Sequence, residues 1–435
     1  MTTDGLLTHL DSLDDGATGS VEFSTVRHTE SVITIVKSVS VSDKWVDSSL
    51  PDGANTGGLF DSGTLFKTSI PSEDLKNPNL KMLRGLLIDD GHDVSCLTLG
   101  SEQACLEKPL VLICDAQGEL HLFWVYDEKE EKCPKFEVLH IDQDANRLGE
   151  AFEHLDTKRV GVVGLGSVGS KLAVSLGRSG VRDFLLIDDD VFLPGNLCRN
   201  ELDWHHIGQH KVDAVSEKLK RIAAGMNVSV RRIKLSGQEA TAGVASALMQ
   251  LSDCDLIIDA TADPQTFNQL AGVASDFGTP LLWIEVFEGG IGGLVARYRP
   301  GKEPDPQSMR STLNQITLEL NGRPLRPATD DYALEGTNGN ILIAGDADVG
   351  IITYHCARLA IDTLLEYEPS MFPYSMYLVG LAQGWCFSEP FDTRPIDVGA
   401  PSALKPVQLT DKDKSEIQDF ISGIITKSIE NSSST

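Results

Sequence analysis

Residues 164–169 read GLGSVG, and this short string constrains the fold more than any other part of the chain. It follows an apolar run at 159–163 and opens a helical pattern at 170–178. Gly164, Gly166 and Gly169 let the backbone turn tightly between strand and helix and approach a nucleotide closely. The helix N–H groups are then free to face phosphate. Alone, the string points first to a dinucleotide such as NAD, and it also fits a plain tight turn in an α/β domain. Asp188 stands at the end of the next apolar run, where an acid can hold ribose hydroxyls.

The pattern around this string alternates. Strands are expected at 184–187, 228–233, 256–258 and 280–285, with helices at 211–226, 240–251 and 264–276. Such alternation predicts an α/β fold with a Rossmann-like, doubly wound, mostly parallel sheet. A Gly-rich strand at 289–298, an irregular insertion at 300–347, a long helix at 347–365 and a loop-and-strand segment at 371–402 complete it. The expected division is a smaller α/β N-terminal domain at 1–145, a nucleotide-binding domain at 146–402, and a C-terminal helix (411–427) with a disordered tail within 403–435. In the first of these, 1–31 reads as a loose lead-in, 31–42 as a strand and 43–75 as a long loop. Runs at 109–114, 120–126 and 135–141 suggest an antiparallel meander. No catalytic constellation is visible there, and partner docking is one role open to it.

The loop after Asp188 is unlike a dehydrogenase. Residues 188–200 read DDDVFLPGNLCRN, packing Asp188, Asp190, Asn196, Arg199 and Asn200 into one segment. Lys211 then opens a helix. An arginine and a lysine converging beside a glycine loop suit a triphosphate, because they neutralise charge that builds as pyrophosphate leaves. Each residue taken singly could equally be a solvated charge or a cap.

These residues resemble the ThiF/MoeB and ubiquitin-activating enzyme superfamily, whose pattern is GxGxxG, then DxDxVxxxNLxRQ, then a GxxK helix start. The likeness covers about 159–365. EGGIGGLVAR at 288–297, RPG at 299–301, DADV at 346–349 and GWCF at 384–387 look like the bacterial branch that activates ubiquitin-like proteins in defence-associated conjugation operons. The resemblance implies ATP-dependent adenylation of the C-terminal glycine carboxylate of a ubiquitin-like protein, for transfer to a conjugating enzyme. It implies ATP and Mg²⁺ as cofactors, catalytic roles for Arg199, Lys211 and Asp263, and Mg²⁺ on Asp263 with Asp259 in reserve. Nucleotide contacts fall to Gly164, Gly166, Gly169, Asp188, Asp190, Asn196 and Asn200. It also implies a homodimer, with the helix at 347–365 and the Gly-rich strand as packing surfaces.

The sequence departs from that pattern in three places. Asn200 replaces the glutamine after the arginine. The strand end reads DATAD at 259–263, so Ala262 holds the expected position of the metal aspartate and the acid is displaced to Asp263, which could instead cap the next helix. No CxxC pair occurs, so structural zinc is not expected, and no cysteine lies between Cys254 and Cys356 where a thioester cysteine usually sits. Cys198 and Cys356 are the two candidates for a thioester. The simpler readings are a filler beneath the loop for Cys198 and a buried helical thiol for Cys356. Cys386 reads as core.

Composition limits the partners. Lys+Arg 37 against Asp+Glu 64 give a net charge of −27, which argues against nucleic acid and against an anionic membrane surface. It permits a basic protein partner. The chain lacks a secretory signal pattern and an 18-residue apolar stretch, so a cytoplasmic protein is expected. Two other functions compete with adenylation: a catalytically degenerate scaffold that binds the same partners, and an NAD-dependent oxidoreductase, in which Arg199 and Lys211 would be idle.

Overall fold

The computed structural model describes residues 2–27, 32–48, 59–99, 106, 108–125, 131–138, 140–141, 148–236, 242–321, 334–335, 341–342 and 344–401. In chain order a short strand β1 (Thr2–Thr3) leads into helix α1 (Asp4–Asp11). There follow β2 (Thr18–Arg27), β3 (Val32–Val41), β4 (Lys44–Asp47), β5 (Leu59–Lys67), α2 (Leu80–Asp89), β6 (Leu110–Cys114), β7 (Leu120–Trp124) and β8 (Lys135–Phe136). These strands form a seven-stranded sheet in the order β4-β3-β2-β5-β6-β7-β8. Leu6 and Leu10 of α1 pack on one face with Val21, Phe23 and Leu112. Leu80, Leu83 and Leu87 of α2 pack on the other with Phe66, Val111 and Phe123. The alternation of side chains along β5, β6 and β7 supplies both faces. The two-residue strand β9 (His140–Ile141) pairs in parallel with β1.

The second sheet begins with β10 (Arg159–Val163), α3 (Ser167–Arg178), β11 (Asp183–Ile187), α4 (Lys211–Lys220), β12 (Asn227–Arg231) and α5 (Ala242–Ser252). It continues with β13 (Leu256–Asp259), α6 (Pro264–Phe277), β14 (Leu281–Val286), β15 (Gly292–Tyr298) and α7 (Pro306–Asn321). A small pair, β16 (Leu334–Glu335) and β17 (Ile341–Leu342), precedes α8 (Asp346–Leu364), β18 (Met376–Gly380) and β19 (Thr393–Ile396). The order is β12-β11-β10-β13-β14-β15-β18-β19, with β12 to β14 parallel and the last three strands joined antiparallel. The chain reverses direction across the sheet between β10 and β13, and ligands bind at such a switch point.

Helices cover both faces. One core joins Leu172 and Leu176 of α3, Val215 and Leu219 of α4, and Ile352, Cys356 and Leu359 of α8 to Val160, Val162 and Leu186. The other joins Leu251 of α5, Phe267 and Leu270 of α6, and Met309 and Leu313 of α7 to Val163, Leu185 and Ile257. This is the doubly wound architecture expected from the alternation of strands and helices. Among the described residues no helix is long and apolar enough to cross a membrane.

Several local expectations are corrected. The lead-in at 1–31 contains α1 and the whole of β2, because Val21 and Phe23 alternate inward despite the neighbouring Gly19 and Ser20. The loop at 43–75 contains β4 and β5, whose Leu65 and Phe66 are wholly buried on opposite faces. The insertion at 300–347 contains the 16-residue helix α7, anchored by buried Met309, Leu313 and Thr317. The helix after Lys211 stops at Lys220, short of 226. The strand expected from 289 starts at Gly292, after a turn at Glu288–Gly290. The expected helix at 411–427 and the tail lie outside the described residues.

Behind α8 lies a buried polar knot. Arg297 and Asp362 are fully buried and paired, Ser370 Oγ donates to Asp362 Oδ2 at 2.7 Å, and Met371 N–H donates to Oδ1 at 2.9 Å. Arg297 Nη2 donates to Ser370 Oγ at 2.8 Å and to Phe372 O at 3.1 Å. Arg299 forks onto Glu303. Arg297 thus ties β15 to the end of α8, and the knot lies at the opposite end of the parallel strands from the glycine loop.

Candidate functional site

The glycine loop is shaped by backbone contact at two of its three glycines. Gly164 has φ +85°, and a Cβ there would stand 2.8 Å from Thr261 Cγ2. A Cβ on Gly169 would lie 1.8 Å from Gly164 O, so α3 can approach β10 only with glycine at that position. Gly166, the residue preceding α3, has nothing within 4 Å of the place a Cβ would take. Gly164 and Gly169 therefore build the turn, while Gly166 presents bare backbone to open space at the start of a 12-residue helix.

The acidic strand end braces this turn. Asp188 Oδ2 accepts from Leu165 N–H at 2.6 Å and Oδ1 from Asp190 N–H at 2.8 Å. Burial raises the Asp188 pKa above the usual carboxylate value, against the pull of Lys211 and those two N–H groups. Asn200, 9% exposed, donates from Nδ2 to Leu165 O at 3.4 Å and accepts at Oδ1 from Leu202 N–H at 3.0 Å. Ser170 Oγ donates to Gly166 O at 2.7 Å and accepts from Glu201 N–H at 3.2 Å. The glycine loop and the 188–200 loop are thus sewn to each other.

The 188–200 loop is anchored elsewhere too. Phe192 is wholly buried, its N–H donates to Gln209 O at 2.8 Å, and its O accepts from Gly208 N–H at 2.9 Å. Asn196 Oδ1 caps its own turn by accepting from Leu193 N–H at 2.9 Å. Lys211 is buried at the start of α4. Its Nζ lies 2.6 Å from Asp190 Oδ2, and its N–H donates to Asp190 O at 3.0 Å. Arg199 is half-buried, with its N–H on Asn196 O at 3.3 Å. The structure therefore gathers Gly164, Gly166, Gly169, Asp188, Asp190, Asn196, Arg199, Asn200 and Lys211 into one connected unit. For Asp188 and Asn200 it also shows a supporting task that the motif did not disclose.

Asp263 is the N-cap of α6. Its Oδ1 accepts from Gln265 N–H at 3.3 Å, and its Oδ2 from Thr266 N–H at 3.0 Å and Thr266 Oγ at 2.7 Å. Burial alone would raise its pKa, but the Thr266 donors outweigh it and hold the carboxyl below the usual value. Asp259 is buried, takes both the N–H and the hydroxyl of Thr261 on Oδ1, and is pushed up to about 6 by burial. Between them Ala262 has φ +54°, a left-handed conformation uncommon outside glycine. A small cavity beside this turn is lined by Asp259, Ala262, Asp263, Trp283, Glu285 and Arg310. Among the described residues one group of three possible metal ligands comes together: Asp188, Asp189 and Asp190, each offering an oxygen within 4.8 Å of the others.

The cysteines sort clearly. Cys356 is wholly buried on α8 and burial pushes its thiol up to about 12, so His355 and Arg358 do not activate it. Cys198 is exposed, with Sγ 3.4 Å from Gly195 O; the expectation of a filler beneath the loop is corrected. Cys386 is buried, as read.

The sequence reading missed Glu201, Lys171 and Arg310. Glu201 lies within 3.8 Å of Lys171, 3.7 Å of Arg178 and 3.6 Å of Lys218, tying the loop end to α3 and α4. Lys171 also pairs with Asp346 of α8 at 2.7 Å. The one signal for Glu201 was its place directly after Asn200; nothing in the sequence marked its partners.

Comparison with known proteins adds the following. The ThiF family model matches residues 142–368. The uncharacterized protein y4oA of Sinorhizobium fredii is 30% identical over 48% of this chain and 36% of its own length. The ATP-dependent ubiquitin transferase-like protein Cap2 of Pseudomonas aeruginosa is 31% identical over 41% of this chain and 34% of its own. This chain spans about a third of the length of these curated relatives. A crystal structure of E. coli MccB with ATP is 17% identical, with a TM-score of 0.44 over 59% of this chain and 68% of that one.

Proposed function

We propose that this chain, which belongs to the ThiF family, is an adenylyltransferase that activates the C-terminal glycine carboxylate of a ubiquitin-like protein with ATP. The observation that carries this reading is the stitching of the 188–200 loop to the glycine loop. The loop that carries Arg199 and clasps Lys211 through Asp190 is thereby held against the start of α3, where Gly166 leaves open room. An open cradle, an anion-accepting helix start and two cations fit a nucleotide triphosphate.

In this reading the glycine loop and the first N–H groups of α3 hold phosphate, and Asp188 and Asp190 face the ribose side. The carboxylate oxygen bonds to the α-phosphorus of ATP, pyrophosphate leaves with the broken P–O bond's electrons, and Arg199, Lys211 and Asn196 stabilise the charge that develops. No covalent enzyme intermediate is needed; positioning and charge suffice. Asp263 would hold Mg²⁺, which neutralises phosphate charge. A carboxylate offers about four acceptor positions; the α6 cap uses three of Asp263's and the Ser236 hydroxyl donates to it as well, so a cation would take the place of one of these donors.

The acyl-adenylate would then pass to a conjugating enzyme. Exposed Cys198 is a better placed thiol than buried Cys356 for any intermediate thioester. Homodimerisation through α8 is part of the proposal, supported by exposed Ile351 and Tyr354 on that helix. A defence role, a cytoplasmic setting and partner docking by residues 1–145 belong to the same reading.

The test is exchange of labelled pyrophosphate into ATP, dependent on a ubiquitin-like protein ending in glycine. Arg199→Ala and Lys211→Ala should each abolish exchange, and unchanged exchange in either variant would sink the assignment. A silent scaffold is the reading favoured by Asp263's commitment to the α6 cap; it requires binding of the same partner without any exchange.

A further inference from the structure

The seven-stranded sheet carries a second cluster of chemistry, separate from the glycine loop. In the register of β7 and β8, Lys135 stands opposite Phe123, and His121 lies two residues along on the same face. His121 is 4% exposed, and its Nε2 is 2.8 Å from Oδ2 of Asp115, a fully buried carboxylate in the β6–β7 turn. Asp115 Oδ1 is already held by the N–H groups of Gln117 and Glu119, at 2.8 and 2.9 Å. With Nε2–H donated to Asp115, Nδ1 becomes the acceptor of the ring. Lys135 Nζ lies 2.6 Å from that Nδ1 and also donates to Leu75 O at 3.1 Å. Lys135 is nevertheless an exposed residue on a short edge strand.

An amine, a ring nitrogen beside it and a carboxylate fixing that ring make the nucleophile, base and orienter of an acyl-transfer constellation. We propose that Lys135 is a nucleophilic amine, with His121 as its general base and Asp115 as the orienting carboxylate, and that it takes an acyl group from an activated carboxyl compound. Nζ gives one proton to His121 Nδ1, and Asp115 stabilises the imidazolium. The Nζ lone pair attacks the acyl carbon and the N–C bond forms. The bond to the leaving phosphate oxygen or sulfur breaks, and its electron pair departs with that atom. The imidazolium passes that first proton to the departing oxygen or sulfur, and the neutral ring then takes the second proton, shed as the amide forms, and releases it to solvent.

The surroundings favour a neutral amine at lower pH than an ordinary lysine. Burial of the tip lowers its pKa, Lys76 lowers it further, and Asp115 opposes both. Lys76 is itself paired with Glu73 at 2.9 Å. The proposal is independent of the adenylation reading, because small acyl donors test it without nucleotide or partner.

The full-length protein is treated at neutral pH with acetyl phosphate and, separately, with the thioester of N-acetylcysteamine. Acetylation of each lysine is followed by peptide mass spectrometry. Lys135 should react about tenfold or more faster than exposed Lys44 and Lys81, a modest share of what general base catalysis delivers. A preference with one donor alone assigns the source as acyl phosphate or thioester. No preference with either overturns the proposal. His121→Gln and Asp115→Asn should bring Lys135 down to the rate of the surface lysines. Both sites are buried, so the pH profile of the unaltered protein is the second measurement. The Lys135 rate should level off at a lower pH than that of Lys44, and coincident profiles also overturn the proposal.

Discussion

Lys211 Nζ rests 2.6 Å from Asp190 Oδ2 while Lys211 N–H donates to the carbonyl of the same aspartate at 3.0 Å. The loop and the start of α4 are therefore clasped by two bonds between two residues, one through side chains and one through backbone. Only the first is lost on substitution of the lysine.

Lys211→Met should accordingly separate chemistry from stability. The Asp190 side chain is 64% exposed, so water replaces the lost cation and the cost should stay below about 1 kcal/mol. Partner-dependent exchange should fall by about 10²–10³ if Lys211 stabilises the leaving pyrophosphate. Urea unfolding and exchange assays on one preparation measure both.

Asp263 offers a cap and a charge, and two substitutions divide them. Asp263→Ala removes the acceptor for Gln265 and Thr266 and should cost about 1 kcal/mol of stability. Asp263→Asn keeps an acceptor oxygen and should retain most of that stability. If the residue also holds Mg²⁺, exchange should fall in both variants; full exchange in the asparagine variant would remove Asp263 from the metal site.

Gly166 and Gly169 should respond in opposite ways to alanine. Gly169→Ala drives a methyl group into Gly164 O and should destabilise the chain by at least ~2 kcal/mol. Gly166→Ala meets open space and should leave stability within about 0.5 kcal/mol, while ATP binding weakens. Thermal melts with and without ATP distinguish the two.

Asp259 makes stability depend on pH. Its folded pKa, about 6, lies above the unfolded carboxylate value of ~3.9. Between those values the native state binds the extra proton, so stability falls as pH rises through that window and stays lower above it. The loss approaches about 3 kcal/mol, and Asp259→Asn should recover a share of it at neutral pH and flatten the profile. Denaturant titrations at pH 4 to 8 would show it; a steeper profile in the variant would contradict the assignment.

The sequence made the second sheet legible where punctuation was local. Asp263, Pro264 and the left-handed Gly278 bound α6 at both ends. The same logic failed for α7, which begins at Pro306 after a Pro- and Asp-rich stretch and whose three buried anchors are diluted by Ser, Gln and Thr. It failed for β5, where LFDSGTLFK looks like a loop and becomes a strand only because β2 and β6 supply partners. At the site, residue types were readable and their tasks were not. Asp188 was marked for ribose, yet its oxygens hold Leu165 and Asp190. The bond to Leu165 joins positions 23 residues apart, and no motif spacing records it. The pairing of Asp115, His121 and Lys135 across three chain segments was invisible for the same reason.

The two loops are joined through Asp188, Asn200 and Ser170. That joining sets the unit in which this chain tolerates exchange with its relatives. A chimera that imports only the glycine loop would bring a backbone whose N–H and C=O groups at 165 and 166 lack their intended companions. One that imports residues 188–200 alone would strand Asp188 and Asn200. Transplanting 163–211 as one piece carries these partners along, together with Leu202, Gly208, Gln209 and Lys211, so the two loops and their clasp are inherited as a single cassette.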